Sequence, residues 1–212
     1  YSSAASDVYK RQILRNEDNK LILGRGLTGD VIIDIDKTPH ILIGGNTGSG
    51  KSVLVQCLLW QAIQQADVVY VADFKGGVDF SYVWQEFAYI ITEETKLLVL
   101  LNHLADTLEE RKRLFKKVDA ANITEYREKS GDYMQRIVFA CDEVAELLDK
   151  TGADKSRKEL LAQIEARLAL IARQGRAFGI HLILATQRPD ANILPGQIKN
   201  NMNTVSYTHL TL

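Results

Sequence analysis

Short apolar runs alternate along the chain with longer amphipathic stretches. Residues 21–35 alternate loosely and close on Val31-Ile32-Ile33-Asp34-Ile35, a β-branched run that predicts short strands with one covered face. Ile41-Leu42-Ile43 is apolar at every position and stops at glycines, the pattern of a strand buried on both faces. Similar runs recur at 68–72, 89–91, 137–141 and 180–185. Between them the apolar spacing turns helical. Residues 51–66 carry Val53, Leu54, Cys57, Leu58 and Ala62, and 95–117 repeat Leu97, Leu101, Leu104 and Leu108 at steps of three and four. Residues 159–174 set Leu161, Ile164, Leu168 and Ile171 on one face, while the polar stretch 150–158 reads as a loop. Strands that alternate with helices predict an α/β fold with a mainly parallel sheet.

The two ends do not follow this pattern. Residues 1–12, YSSAASDVYKRQ, have neither a usable hydrophobic period nor a cap followed by an apolar face, and 205–212, VSYTHLTL, break abruptly from a polar run. Both strings resemble translated sequencing-adapter read-through, so they are expected to be non-native tails on a native domain at 13–204.

Composition narrows the class. Hydrophobic residues are 46% and charged residues 25% of 212, which excludes a disordered chain, and no apolar run nears the length that spans a bilayer. The 26 Lys and Arg against 27 Asp and Glu leave a net charge of −1, so the chain is no globally basic nucleic-acid coat; DNA contact would need a local patch or surfaces assembled between subunits. Cys57 and Cys141 form no CxxC pair, which argues against a zinc site or a disulfide framework and fits a reducing cytoplasm.

Gly45-Asn46-Thr47-Gly48-Ser49-Gly50-Lys51-Ser52 has the spacing G-x-x-x-x-G-K-[ST], with an apolar strand before it and an amphipathic helix after it. Glycines let backbone N–H groups close around phosphates, and a helix N-terminus adds partial positive charge. Lys51 is expected to reach the β- and γ-phosphates of ATP, and the Ser52 hydroxyl to ligate Mg2+.

A nucleotide hydrolase also needs a carboxylate for the metal shell and a group to orient water. The strand 137–141 runs into Asp142-Glu143, and side chains at a strand's C-terminal end project toward the ligand crevice. Asp142 is expected to serve magnesium and Glu143 the attacking water; the competing reading has both acids capping the next helix near Val144. Gln187, at the end of another strand, can bond the γ-phosphate or the water, or merely satisfy backbone. Asp73-Phe74-Lys75-Gly76-Gly77 should face the same edge as a signalling loop or a polar turn.

Other residues divide between structural and chemical readings. His40 and His181 fit packing or hydrogen bonding better than catalysis, and His103 fits the outer face of its helix. Arg111, Lys112, Arg113, Lys116 and Lys117 form a basic cluster that is either a solvated face or a contact for DNA or a neighbouring subunit. Arg173 and Arg176 flank Gly175; they are candidates for an arginine finger acting in an adjacent subunit, or simply cations at a helix C-terminus.

Pro39-His40-Ile41-Leu42-Ile43, the phosphate loop, 138–147 and above all Gly175-Arg176-Ala177-Phe178-Gly179-Ile180-His181-Leu182-Ile183-Leu184-Ala185-Thr186-Gln187-Arg188-Pro189 resemble the FtsK/SpoIIIE family of DNA-pumping ATPases. Glu110-Arg111-Lys112-Arg113-Leu114-Phe115, with Asn122, Ile123 and Tyr126, resembles that family too, and the similarity runs over about 24–204. The resemblance implies a P-loop NTPase with a RecA-like three-layer fold, a ring that is usually a hexamer around double-stranded DNA, and ATP hydrolysis coupled to translocation. It implies a parent anchored at the cytoplasmic face of the bacterial membrane through a segment absent here, and a last sheet strand truncated after Thr204. Two departures, Phe74 where chromosome-segregating members carry proline and Ala120-Ala121 in place of a basic residue, leave conjugative transfer open beside segregation. A type VII secretion ATPase acting on protein is the alternative.

Overall fold

The computed structural model describes residues 19–75, 79–187 and 194–206. Two strands, β1 (Lys20–Gly26) and β2 (Gly29–Asp34), pair antiparallel as a hairpin. The main sheet follows: β3 (His40–Gly44), helix α1 (Lys51–Gln64), β4 (Val68–Ala72), β5 (Tyr89–Ile91), α2 (Glu94–Lys117), α3 (Ile123–Ser130), β6 (Ile137–Cys141), α4 (Val144–Leu147), α5 (Lys155–Gln174), β7 (Ile180–Thr186), α6 (Gly196–Lys199) and β8 (Asn203–Ser206). Its six strands lie in the order β5-β4-β6-β7-β3-β8, with every neighbouring pair parallel.

The central strands are apolar throughout because both faces are covered. On β3, Ile41 and Ile43 face the layer of α1 and the hairpin, whereas Leu42 faces the layer of α2 and α5. On β6, Val138 and Ala140 take the first side and Ile137, Phe139 and Cys141 the second. The hairpin is fastened by α1. Gln61 accepts from the Ile22 N–H at 2.7 Å and donates to the Ile22 carbonyl at 3.0 Å, so one amide imitates a neighbouring strand.

Most expected elements form within a residue or two of their expected bounds. Three differ. The helix expected at 159–174 begins at Lys155, where Asp154 accepts from the Arg157 N–H at 2.8 Å; its first turn is polar and solvent-facing, so apolar spacing did not reveal it. Helix α3 was not expected, yet Asn122 and Glu125 form a reciprocal cap, with Asn122 Oδ1 accepting from the Glu125 N–H at 3.0 Å and Glu125 Oε2 from the Ala121 N–H at 3.0 Å. Finally, a strand does form where truncation was expected. β8 pairs with β3 from Asn203 to Ser206 and crosses the boundary set at Thr204.

Topology fixes the functional edge. In a parallel sheet all C-terminal strand ends open on one side. β7 lies between β3 and β6, so the residue that ends β7 stands between the loop that follows β3 and the acids that follow β6.

Candidate nucleotide-binding site

The loop after β3 is open to a ligand. Gly48 and Gly50 have φ of 80° and 85°, the left-handed region in which a side chain is strained. Gly50 caps α1, and no side chain caps that helix, so the N–H groups of its first turn are not taken up by a capping side chain. Ser49 Oγ is buried with no hydrogen-bond partner among the described residues.

Charged groups converge on the end of β6. Lys51 is buried; its ammonium donates to the Asp142 carbonyl at 2.7 Å and to Asp142 Oδ1 at 3.2 Å, and lies 3.8 Å from Glu143 Oε2. Ser52 Oγ lies 3.2 Å from Asp142 Oδ1 and 3.3 Å from Asp79 Oδ2, so its one proton serves either acid. Lys75 Nζ holds the other oxygen, Asp142 Oδ2, at 2.6 Å. Burial works against the charged form of Asp142, but the bond from Lys75 and the charges of Lys51 and Lys75 outweigh it and hold the carboxyl below its ordinary value. Burial likewise pulls the Lys75 ammonium down; its bond to Asp142 and the nearby Glu143 and Asp79 push it above the ordinary lysine value.

Glu143 does not cap the helix that follows it. Its side chain makes no cap bond; instead Oε1 accepts from Thr186 Oγ1 at 2.8 Å, and Oε2 accepts from the Gln187 N–H at 3.0 Å. The Gln187 side chain accepts from Thr47 Oγ1 at 2.8 Å. Gln187 thus ties the phosphate loop to Glu143, a contact that depends on β7 lying between β3 and β6.

These groups fit magnesium nucleotide. Among the described residues no three His, Cys, Asp or Glu gather as a metal cage. A hydroxyl and a single carboxylate suit a hard cation that takes its remaining ligands from phosphates and water. Beside the site a cleft of about 230 Å³ opens between β4 and β6, lined by Asp73, Lys75, Glu94, Asp142, Glu143 and Arg157.

The structure brings Gly45 through Ser52, Asp142, Glu143 and Gln187 together at one edge of the sheet. It adds Lys75, from the loop expected to face this edge as a signalling loop or a polar turn, and Asp79. Lys75 had a signal, since it follows a strand end as Asp142 does. Asp79 lies in a loop and had none. Gly76, Gly77, Arg188 and Pro189 lie outside the described residues.

Arg173 and Arg176 are exposed at the opposite edge, before β7, where Arg176 Nε donates to the Asp36 carbonyl at 3.3 Å; neither meets the phosphate loop of its own chain. The basic cluster on α2 divides. Arg111 is buried and donates to the carbonyls of Phe178 at 2.5 Å, Gly179 at 3.3 Å and Gln135 at 2.8 Å, which removes it from any binding surface. Lys112 pairs with Glu109 at 2.6 Å, and Arg113, Lys116 and Lys117 stay exposed. His40 and His181 are buried in hydrogen bonds, as packing required.

A phosphate loop, an acid pair one strand removed and a polar strand end between them, on a parallel sheet, define the P-loop ATPase class. The model of the FtsK/SpoIIIE family matches residues 6–191, and the chain belongs to that family. It is 32% identical to the DNA translocase FtsK of Campylobacter jejuni (strain 81-176), an alignment covering 94% of this chain and 22% of that one. For the DNA translocase FtsK of Haemophilus influenzae the identity is 31%, covering 86% of this chain and 39% of the relative. The chain thus spans about a fifth to two fifths of these curated relatives. Among solved structures, the pCW3 conjugation coupling protein TcpA with ATPγS is 39% identical with a TM-score of 0.87, covering 92% of this chain and 56% of that one. EssC of Geobacillus thermodenitrificans, at 19% identity and a TM-score of 0.75, covering 92% of this chain and 38% of that one, shares the fold.

Proposed function

We propose that the chain is the ATP-hydrolysing motor core of a double-stranded DNA translocase, acting in a homo-oligomeric ring of six. The observation that carries this reading is the continuous link Thr47–Gln187–Glu143–Lys51–Asp142, which joins phosphate loop, strand end and acid pair in one site. Lys51 and the α1 N-terminus would neutralise the phosphates of ATP, and Ser52 and Asp142 would hold Mg2+, whose chemistry there would be further neutralisation of phosphate charge. Glu143, fixed by Thr186 and the Gln187 N–H, orients the attacking water and accepts its proton. Gln187 signals the state of the phosphate loop to Glu143. Arg173 and Arg176, at the far edge, serve the site of a neighbouring subunit.

DNA is favoured over protein as the substrate. The relatives at 30% identity or more are named as DNA translocases and a conjugation coupling protein, whereas the secretion ATPase likeness rests on 24% identity or less and speaks for the fold. Among the described residues no helix is long and apolar enough to cross a membrane, so anchoring at the cytoplasmic face would fall to a segment outside them. Lys51→Ala is expected to abolish nucleotide binding. Duplex DNA is expected to stimulate hydrolysis by the assembled protein and to lose that effect steeply as salt rises, with little dependence on sequence. No stimulation at low salt would overturn the DNA reading in favour of secretion.

A further inference from the structure

We propose that Lys75 is a switch cation, which trades Asp142 for Asp73 when magnesium nucleotide is taken up. The inference rests on the nucleotide reading above and adds a residue and a motion to it. Both oxygens of Asp142 are engaged: Oδ1 by Lys51 and Ser52, Oδ2 by the Lys75 ammonium at 2.6 Å. A metal shell drawing on Asp142 brings two positive charges to the carboxylate that Lys75 neutralises, and like charges at that range repel. Lys75 must then yield Oδ2.

A second acceptor stands ready. Asp73, 1% exposed, has an Oδ2 that is buried and has no partner among the described residues. Its other oxygen accepts the Lys75 backbone N–H at 2.9 Å, which holds the lysine backbone beside it. Asp73, Lys75 and Asp142 line the same cleft. The exchange takes rotation of a flexible four-carbon stem toward a buried oxygen at the edge of that cleft, whose lining must ease apart to admit the ammonium, with the backbone anchor kept. A buried carboxylate oxygen without a donor is costly, so the arriving ammonium relieves Asp73 as it leaves Asp142.

The experiment titrates Mg2+ against binding of a fluorescent ATP analogue to the full chain, for wild type, Lys75→Met, Asp73→Asn and the double variant. With Lys75→Met the half-saturating Mg2+ concentration should fall about tenfold, the effect of one neighbouring charge at a buried site. Asp73→Asn should raise it about threefold or more, because the ammonium loses its destination. The double variant should match Lys75→Met, since Asp73 matters only through Lys75. Lys75→Arg should stay near wild type, and binding in EDTA reports that each pocket is folded. An unshifted midpoint in Lys75→Met, or an Asp73→Asn effect that persists in the double variant, overturns the switch. Wild type that binds no analogue at any Mg2+ concentration overturns the nucleotide reading instead.

Discussion

The two edges of the main sheet both bury charged groups, and they use them in opposite ways. At the N-terminal edge Arg111, Arg136, His40 and His181 each make at least one bond to the fold itself, although Nε2 of both histidines has no partner among the described residues. Arg111 serves the backbone before β6 and β7, Arg136 pairs with Asp36 at 3.0 Å, His40 accepts from the Leu182 N–H, and His181 bonds the Pro39 carbonyl. At the C-terminal edge the groups crowd one another. Lys51, Ser52 and Lys75 share Asp142, while Ser49 Oγ and Asp73 Oδ2 have no partner among the described residues. One edge closes the fold and the other holds donors and acceptors for a ligand. The segment from Gly175 to Gln187 runs from the first to the second, so its residues answer to different demands. Its two glycines are steric: a Cβ on Gly175 would lie 2.4 Å from the Ile180 carbonyl oxygen, and one on Gly179, at φ 66°, would lie 2.4 Å from Ile123 Cδ1. Thr186 and Gln187 are chemical.

Substitution at the ligand edge should break chemistry and spare the fold. Glu143→Gln keeps an amide oxygen that can accept from Thr186 and the Gln187 N–H, and loses only the basic group. Steady-state hydrolysis should drop by about 10²–10⁴, the range for a lost general base, with equilibrium ATP binding retained. Hydrolysis at the wild-type rate would remove Glu143 from the mechanism and erase the contrast between the edges.

At the closing edge the expectation reverses. Gly175→Ala drives a methyl into the Ile180 and Ile171 carbonyl oxygens, at 2.4 and 2.7 Å, and backbone atoms cannot step aside as a flexible side chain can. We expect a loss of about 3 kcal/mol in urea unfolding, with hydrolysis per folded molecule preserved. A loss below about 1 kcal/mol would show that the turn before β7 yields.

The same division governs what could be read from sequence. The sheet was legible because strands covered on both faces are apolar at every position, as at 137–141 and 180–185. Lys51 and Ser52 stood out by the spacing G-x-x-x-x-G-K-[ST], and Asp142 and Glu143 because strand ends in a parallel sheet point to one side. Strand order was not, and it alone brings Gln187 between Thr47 and Glu143. The Lys75–Asp142 pair joins residues 67 positions apart, a tertiary contact with no local trace. Arg111 was misread as surface because its helical position does not reveal the carbonyls at the turn into β7 that bury it.

Acid should separate the edges by a smaller, graded effect. Burial, reinforced by Arg176, pushes the His40 imidazole down to about 4. Burial, then His40 and Arg136, push His181 down to about 3 against an opposing bond to the Pro39 carbonyl. A second proton on His40 would fall on Nδ1, which already accepts from the Leu182 N–H, and one on His181 would fall on Nε2, which is buried without a partner among the described residues. Unfolded histidine titrates near 6.5, so below that pH the unfolded chain binds protons that the fold refuses. The stability these rings contribute is full above about 6.5 and is lost as pH falls toward 4, by about 1.4 kcal/mol per pH unit for each. Asp142 runs the other way: its carboxyl is held below its ordinary 3.8, so its contribution persists above that value and is lost only in stronger acid. The N-terminal edge should therefore weaken first. Urea midpoints between pH 7 and 5 test this, and His40→Gln, which keeps an acceptor for the Leu182 N–H, should roughly halve the slope. Stability flat to pH 5 would mean that the rings take up protons inside the fold, and that this edge is less closed than its hydrogen bonds imply.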